Sequence, residues 1–264
     1  MKTVLTIAGS DCSGGAGIQA DLKTMMAHGV YGMSVITALT AQNTLGVSKV
    51  SKVEDEMVKA QLESVFGDIS PDAVKIGMVH ASSTIEMIAR ILKKYRPKHI
   101  VVDTVMVSSS GKALLEKDAM KTLQEKLLPL ATVITPNMEE AGRLAGISVK
   151  NQKEQLQAAR KLSESYPAAI LIKGGHAVDN ADDLLYVCGK EVWFLGAKLD
   201  NPNTHGTGCT LSSAIASNLA LGYDVEESVR RAKEYITGAI QAGLDLGNGS
   251  GPLRHDWNIT KKTK

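Results

Sequence analysis

Six short runs of apolar and largely β-branched residues predict buried β-strands. These runs lie at residues 3–8, 33–40, 73–76, 99–103, 132–135 and 169–173. They read as nearly continuous apolar segments, which is typical of parallel strands that are covered on both faces. The pattern therefore predicts a mostly parallel sheet that lies between two layers of other structure.

The segments between these runs have the spacing of amphipathic helices. Within residues 83–94, for example, Ile85, Ile88 and Leu92 fall on one face of a helix, whereas Arg90 is turned away from it. Strands that alternate with helices indicate an α/β fold in which helices flank both faces of a central sheet.

The last third of the chain departs from this alternation. Residues 184–187 and 192–195 predict a β-hairpin, which we place as a small antiparallel edge of the sheet. After Gly206 the pattern becomes helical, with Gly222 as a stop signal. A last long helix is predicted from residue 225 to about residue 244.

The composition is that of a globular protein. The 264 residues are 44% hydrophobic and 22% charged, which excludes disorder as the general state. No internal repeat and no linker rich in Pro or Ser divides the chain. We therefore expect one domain over residues 1–264, with a loose tail from about residue 247.

Charge and cysteine content exclude several classes of protein. A formal net charge of +2 argues against a dedicated nucleic-acid binder, which needs concentrated positive charge. The three cysteines form no CxxC pair and are too few for a secreted disulfide framework. The first apolar run is too short for a signal peptide, and no segment has the character of a membrane span. We expect a cytoplasmic protein with no membrane contact.

The first candidate for chemistry is the glycine-rich segment GSDCSGGAG at residues 9–17, between a strand and a helix. Gly15, Gly17 and Ala20 formally match a dinucleotide-binding pattern. The segment is too long for the usual tight turn, however, and no acidic residue ends the next strand. A connection without a ligand is one interpretation; we favour backbone amides that close over a small polar ligand.

The second candidate is NTHGTGCT at residues 203–210, directly before an apolar helix. Unpaired amides and the positive end of the helix dipole predict an anion hole suited to a phosphoryl group, with Gly206 and Gly208 at its centre. The same field predicts a lowered pKa for Cys209, so that its thiolate accepts a proton. In the alternative interpretation, Cys209 is a small buried residue and the glycines serve packing. The Walker A pattern is absent.

Together these motifs resemble the hydroxymethylpyrimidine/phosphomethylpyrimidine kinases of thiamine synthesis, within the ribokinase-like superfamily. The matching segments occur in the family's order along essentially the whole chain. They are LTIAGSD (5–11), SGGAGIQADLKT (13–24), TALTAQNT (37–44), KIGM (75–78), DTVM (103–106), TPN (135–137) with Glu140, KGGH (173–176) and the segment 203–210.

The resemblance implies a ribokinase-like fold with the active site along one edge of the sheet. It also implies ATP as the phosphoryl donor, Mg²⁺ as the metal and two successive phosphorylations at one site. The hydroxymethyl group of the aminopyrimidine is phosphorylated first, and the resulting monophosphate second. A homodimer is implied as well, although no interface can be read from one chain.

The resemblance also assigns a substrate side. Gln42 stands where the family's side-chain amide recognises the aminopyrimidine, since an amide offers both a donor and an acceptor. Gly9, Met78 and Val105 match the wall of the pocket. Asp21 matches the substrate side too, but within a helix it could equally be a surface charge.

On the nucleotide side, Glu140 matches the residue that holds Mg²⁺, commonly through water, and Mg²⁺ needs few protein carboxylates. Cys209 is the expected base, or else a group that orients the substrate. The other residues expected on the ATP side are Asp103, which could assist the metal, Lys173, which neutralises phosphate charge, Asn137, Thr204 and Lys233.

Two segments depart from the family pattern. SSSG at residues 108–111 replaces a more usual AKSG and removes a lysine, and HASS at residues 80–83 lacks the common apolar residue after Gly-Met. Two other functions stay open. One is a pyridoxal or pyridoxine kinase on the same scaffold, and the other is a non-catalytic sensor that binds the ligand without phosphoryl transfer.

Overall fold

The computed structural model describes residues 1–106, 115–116, 118–175, 182–196, 201 and 203–259. Within these residues, nine strands form one sheet. The strands are β1 (Thr3–Asp11), β2 (Tyr31–Asn43), β3 (Gly46–Lys52), β4 (Ala73–Ile76), β5 (His99–Val102), β6 (Val133–Ile134), β7 (Ala169–Ile172), β8 (Asp183–Val187) and β9 (Lys190–Phe194).

Helices connect most of the strands. They are α1 (Gly17–Ala27), α2 (Asp55–Asp68), α3 (Ser82–Tyr95), α4 (Ala119–Thr122), α5 (Met138–Ala145), α6 (Gln152–Ser165), α7 (Thr207–Ala220) and α8 (Val225–Gln241). The short α4 continues into a π-helical turn (Leu123–Leu127) and a 3₁₀ turn (Leu128–Leu130). Among the described residues, no helix is long and apolar enough to cross a membrane.

The strand order is β3-β2-β1-β4-β5-β6-β7-β8-β9. Six strands that are neighbours in the sheet, in the order β2-β1-β4-β5-β6-β7, pair in parallel. This confirms the predicted α/β fold and its mostly parallel sheet. The predicted hairpin is also confirmed, since β8 and β9 pair antiparallel at one edge. A second antiparallel strand, β3, lies at the opposite edge and was not predicted. Its sequence, GVSKVSK, is mostly exposed and polar, so it lacks the apolar signal of a buried strand.

Apolar residues on successive strand positions pack into two different cores. Leu5 and Ile7 of β1 belong to a core with α2, α3, α5 and α6. Val4, between them, belongs to a core with α7 and α8 on the other face. Because side chains alternate along a strand, a sheet that is covered on both faces needs apolar residues at consecutive positions.

The tail is packed against the protein, so the expectation of a loose segment from residue 247 is wrong for residues 247–259. Leu253 is buried in the core beside α8. The Gly251 amide donates to Oδ1 of Asn203 at 2.9 Å. These contacts join the tail to the loop before α7. Residues 260–264 lie outside the described part of the chain.

Candidate active site

The carboxyl ends of the parallel strands converge on the amino end of α7. Asp11 ends β1, Asp103 directly follows β5 and Lys173 directly follows β7. In an open α/β sheet, ligands bind outside this edge. The fold therefore brings Asp103 and Lys173 to the edge of the sheet where Asp11 and the amino end of α7 lie.

The glycine-rich segment 9–17 lies directly against the segment 203–210. A β-carbon at Gly15 would overlap the ring of His205. Gly206 forms the N-cap of α7 in the left-handed conformation, with φ +82°. The first turn of α7 thus begins where the two segments meet. The amide of Thr207 donates to the carbonyl of Thr204 at 3.3 Å, and the amides that follow lie at a helix start, the part of a helix that suits an anion.

Asp103 and Lys173 form an ion pair beside this helix end. Lys173 Nζ lies 2.9 Å from Oδ1 of Asp103. Burial alone would raise the pKa of Asp103, but the charges of Lys173 and Lys75 outweigh it and hold the pKa below its ordinary value. A β-carbon at Gly208 would lie 3.3 Å from Asp103 Oδ2 and 3.4 Å from Lys173 Nζ. The first turn of α7 therefore faces this charged pair.

Glu140 and Asn137 form a capping box at the start of α5. Asn137 Oδ1 accepts from the amide of Glu140, and Glu140 Oε2 accepts from the amide of Asn137, both at 2.9 Å. Thr104 Oγ1 donates to the same carboxylate at 3.1 Å. Burial raises the pKa of Glu140, and the charge of Lys173 opposes this. A nearby cation would stabilise such a desolvated carboxylate.

The carboxylates at this edge of the sheet fit a magnesium ion that takes most of its ligands from phosphates and water. The described residues contain no group of three His, Cys, Asp or Glu side chains placed to ligate a metal. Mg²⁺ keeps several waters and commonly uses one or two carboxylates together with substrate phosphates. Glu140, with Asp103 near the same edge, matches that requirement.

The predicted pocket wall is brought together. Met78 and Val105 pack with Ala38 in a small apolar cluster that is separate from the two main cores. A β-carbon at Gly9 would lie 3.3 Å from the sulfur of Met78. Residue 9 therefore permits a close approach of the backbone to this apolar surface.

Gln42, on β2, is linked to two residues that sequence reasoning did not single out. One terminal atom of its carboxamide lies 3.0 Å from Nε2 of His205, and the same imidazole nitrogen lies 2.9 Å from Oδ2 of Asp11. Hydrogen bonds from His205 and from Ser13 outweigh the effect of burial and lower the pKa of Asp11 to about 2. Both residues were visible within the quoted motifs, but nothing in the sequence showed that they meet.

The structure does not place Asp21 on the substrate side. Its carboxylate is fully buried and pairs with Lys75, whose Nζ lies 2.9 Å from both oxygens. Thr6 and Ser213 also donate to it, at 2.5 and 2.6 Å. All three partners belong to the protein interior, so Asp21 ties β1, β4 and α7 together beneath the site.

The expectation of a lowered thiol pKa at Cys209 is wrong. Burial raises the pKa of Cys209 to about 11, although the charge of Lys75 acts in the opposite direction. The loss of water around a thiolate costs more than the helix start and the nearby lysine recover. Cys209 is therefore a neutral thiol at pH 7, which does not fit the expected role of a base.

The two remaining residues of the expected ATP side are engaged within the protein. Lys233 Nζ lies 2.7 Å from Oδ2 of Asp183, whose Oδ1 accepts from the amide of Gly174 at 2.8 Å. Thr204 is exposed and lies within 3.4 Å of the Ser250 hydroxyl. Lys233 thus lies next to the loop that carries Lys173, with its charge already paired.

The segment 108–111, where the sequence departs from the family pattern, lies outside the described residues. The same holds for His176 of the KGGH match. The other departure, at residues 80–83, begins with His80, whose Nε2 lies 3.7 Å from Oε1 of Glu116.

The chain is similar to known kinases over most of its length. The family described as "Phosphomethylpyrimidine kinase" matches residues 11–254. The hydroxymethylpyrimidine/phosphomethylpyrimidine kinase of Streptomyces coelicolor is 49% identical over 256 residues, which cover 97% of this chain and 95% of that protein.

Solved structures are similar over the same length. The crystal structure of phosphomethylpyrimidine kinase from Clostridium difficile is 48% identical, with a TM-score of 0.82, and the match covers 91% of this chain and 100% of that one. An ADP complex of Bacillus subtilis pyridoxal kinase is 37% identical, with a TM-score of 0.91, and the match covers 98% and 99%. Since the family match spans most of the chain and its motifs meet at one edge of the sheet, the chain belongs to the phosphomethylpyrimidine kinase family.

Proposed function

We propose that this protein uses ATP to phosphorylate 4-amino-5-hydroxymethyl-2-methylpyrimidine and then its monophosphate, as a step in thiamine biosynthesis. The observation that carries the proposal is the meeting of two surfaces at one sheet edge. Gln42 and the apolar wall of Met78 and Val105 suit a flat heteroaromatic ring, and Lys173 with the amino end of α7 suits a phosphoryl group. The names of the relatives support the same activity.

Phosphoryl transfer needs alignment of donor and acceptor and stabilisation of charge more than covalent help. The amides at Gly206, Gly208 and Cys209 donate to the oxygens of the transferred group, and Lys173 adds a positive charge beside them. Lys173 stays charged, because Asp103 and Glu140 hold its pKa above the ordinary value despite burial.

Glu140 and Asp103 are the residues that would hold Mg²⁺ or its waters, and a bound Mg²⁺ supplies charge neutralisation on the phosphates. Asn137 fixes the carboxylate of Glu140 through the capping box. The thiol of Cys209 orients the substrate hydroxyl. Because the thiol is neutral at pH 7, the hydroxyl keeps its proton until bond formation to phosphorus is advanced, as a loose transition state allows. The proton then passes to an oxygen of the transferred phosphoryl group, while the bond from phosphorus to the ADP oxygen breaks.

A second candidate is phosphorylation of pyridoxine or pyridoxal by the same site. The similarity to Bacillus subtilis pyridoxal kinase supports it, and pyridoxine also carries a hydroxymethyl group on a flat ring. A sensor without catalysis is less well supported, since the chain keeps the charged pair of Asp103 and Lys173 next to the helix start.

The test measures ADP release with Mg-ATP and either the hydroxymethylpyrimidine or pyridoxine, with ³¹P NMR to identify the products. We expect the monophosphate and then the diphosphate of the pyrimidine, at a higher kcat/KM than for pyridoxine. Removal of Mg²⁺ by EDTA should stop both steps. Turnover of pyridoxine alone would favour the second candidate, and binding without ADP release would favour a sensor.

We further propose a homodimer that works in the cytoplasm, where ATP and Mg²⁺ are present. Light scattering on the purified chain should give the mass of two chains, since the family resemblance implies that assembly. A mass of one chain at micromolar concentration would contradict it.

A further inference from the structure

The side chain of Gln42 is held by a residue for which the proposed mechanism has no role. His205 is 5% exposed and lies in the segment just before α7. Its Nε2 lies between Oδ2 of Asp11, at 2.9 Å, and the terminal amide group of Gln42, at 3.0 Å. The protonation of this nitrogen decides what it can do for Gln42.

Asp11 requires a proton on Nε2 of His205. Its Oδ1 accepts from the amide and the hydroxyl of Ser13, and its Oδ2 accepts from the amides of Gly15 and Ala16. A carboxyl group with so many donors around it is ionised and can only accept, in agreement with its pKa of about 2. His205 therefore carries a proton on Nε2, whatever the state of its other ring nitrogen. This nitrogen has no free lone pair and cannot accept from Gln42, but its single hydrogen can be shared between Oδ2 of Asp11 and an oxygen of Gln42.

Thr40 indicates which atom lies at the other end of the Gln42 amide. Its Oγ1 has a single hydrogen and donates it to the carbonyl of Ser10 at 3.0 Å. The same Oγ1 lies 3.2 Å from the second terminal atom of Gln42, so it can only accept there.

The two ends of a carboxamide have nearly the same shape, so its partners decide which end is oxygen. A donor at His205 and an acceptor at Thr40 place the carbonyl oxygen of Gln42 toward His205 and its NH₂ group toward Thr40. The oxygen keeps one lone pair and the NH₂ group keeps one hydrogen for a ligand.

We propose that His205 is a positioning residue that fixes the orientation of the Gln42 amide and thereby selects heterocycles with an amine next to a ring nitrogen. Such an edge offers a donor and an acceptor in the order that matches the oriented amide. A pyridine ring with no amine beside its nitrogen cannot make both bonds. The inference rests on the proposed function for the identity of the ligand, but not for the orientation of Gln42.

The main test compares wild type with His205→Leu, which removes the donor, and His205→Gln, which keeps a donor near the position of Nε2. We expect His205→Leu to raise KM for the hydroxymethylpyrimidine by about 10-fold or more and to leave KM for ATP unchanged, because the half-buried amide of Gln42 then loses one of the two partners that orient it. His205→Gln should recover most of the loss. The ratio of kcat/KM for the pyrimidine over pyridoxine should fall in His205→Leu.

His99→Leu is a matched control, since His99 begins β5 at the end away from Asp103, and its buried Nδ1 has no hydrogen-bond partner among the described residues. It should keep the wild-type KM. A double-mutant cycle separates positioning from a general packing defect. In a Gln42→Leu background, His205→Leu should change KM less than about 2-fold, because its effect passes through Gln42. An equal loss in both backgrounds, or for both substrates, would overturn the proposal.

Thr40→Val is a second variant of nearly unchanged shape that frees the other end of the amide, and it keeps the proposal testable if His205→Leu does not fold. We expect a smaller rise of KM in the same direction, which is again absent in the Gln42→Leu background. If Thr40→Val, His205→Gln and His205→Leu all have the KM of wild type, the proposal that these partners orient the Gln42 amide is contradicted.

A readout on the ligand-free protein separates this inference from the proposed function. Long-range ¹H–¹⁵N spectra should show a protonated Nε2 at His205 at pH 7, and the side-chain amide signals of Gln42 should shift in His205→Leu. An unprotonated Nε2 would overturn the inference even if the enzyme phosphorylates the pyrimidine. If the pyrimidine is not phosphorylated but both signals behave as expected, the proposed function fails and the positioning role stands.

Discussion

Gly206 lies so close to the carbonyl oxygen of Gly15 that a β-carbon at position 206 would overlap it. This contact joins two segments that are far apart in the sequence into one surface at the amino end of α7. The left-handed backbone of Gly206, with φ +82°, adds a second reason for glycine at this position.

Replacement of Gly206 should therefore remove activity. In Gly206→Ala, the methyl group forces the two segments apart, so we expect kcat/KM to fall by about 10²-fold or more, as for small misplacements of a site. Gly29→Ala is the matched control, because Gly29 has φ +72° but a β-carbon there would have no atom of the described residues within 4 Å, apart from its neighbours in the chain. It should cost about 1 kcal/mol of unfolding free energy and leave kcat/KM unchanged. Equal behaviour of the two variants in activity and urea unfolding would show that the contact is dispensable.

Asp21 should matter for stability. Asp21→Asn leaves the ammonium of Lys75 buried without its charge partner, so we expect the unfolding free energy to fall by about 3–5 kcal/mol in urea denaturation. The control is Glu139→Gln, which removes an exposed pair with Arg143 and should change it by less than about 1 kcal/mol. A stable Asp21→Asn with a raised KM for the pyrimidine would instead restore the substrate role that the family resemblance implied.

The raised pKa of Cys209 predicts slow alkylation at neutral pH. Only the thiolate reacts with iodoacetamide, so the rate at Cys209 should increase about ten-fold with each pH unit from pH 7 and level off near the pKa of about 11. Site-resolved mass spectrometry measures this, with the exposed Cys188 as an internal reference for the reagent. A rate at Cys209 that is already maximal at pH 7 would show that the thiol is ionised there.

Loss of the Cys209 side chain should affect turnover more than binding. We expect Cys209→Ala to lower kcat by about 10²-fold with a nearly unchanged Kd for the pyrimidine, since the thiol places the attacking hydroxyl. Cys209→Ser keeps a polar hydrogen-bonding group and should lose less. Unchanged turnover in Cys209→Ala would refute any role for this residue in the reaction.

Gln42 should be the main polar contact to the ring. Gln42→Leu leaves the ring nitrogen and amine of the pyrimidine without partners, so we expect binding to weaken by about 1–3 kcal/mol in isothermal titration calorimetry. Met57→Leu on the exposed face of α2 serves as a control and should bind normally. Equal affinity in Gln42→Leu and wild type would rule out Gln42 as the group that recognises the ring.

The pattern of apolar and polar residues predicted much of the fold, because a buried strand contains a run of apolar residues that is visible in the sequence. The runs at 73–76 and 99–103 became β4 and β5, since a strand that is covered on both faces needs apolar side chains at consecutive positions. The edge strand β3 was missed for the same reason, because its exposed residues carry no such signal. The tail was missed because its contacts, such as Gly251 with Asn203, are made with distant parts of the chain.

By itself, the amino-acid sequence determined the α/β class, the two glycine-rich segments and the residue types that suit a kinase. These depend on spacing and on motifs, which are local properties of the chain. Only the tertiary structure decided that Asp21 pairs with Lys75 in the interior, that Cys209 is a neutral thiol, and that His205 lies between Asp11 and Gln42. The burial, the pKa and the hydrogen-bond partner of a side chain depend on residues that folding brings near. These residues are far apart along the chain, so the sequence does not show that they meet.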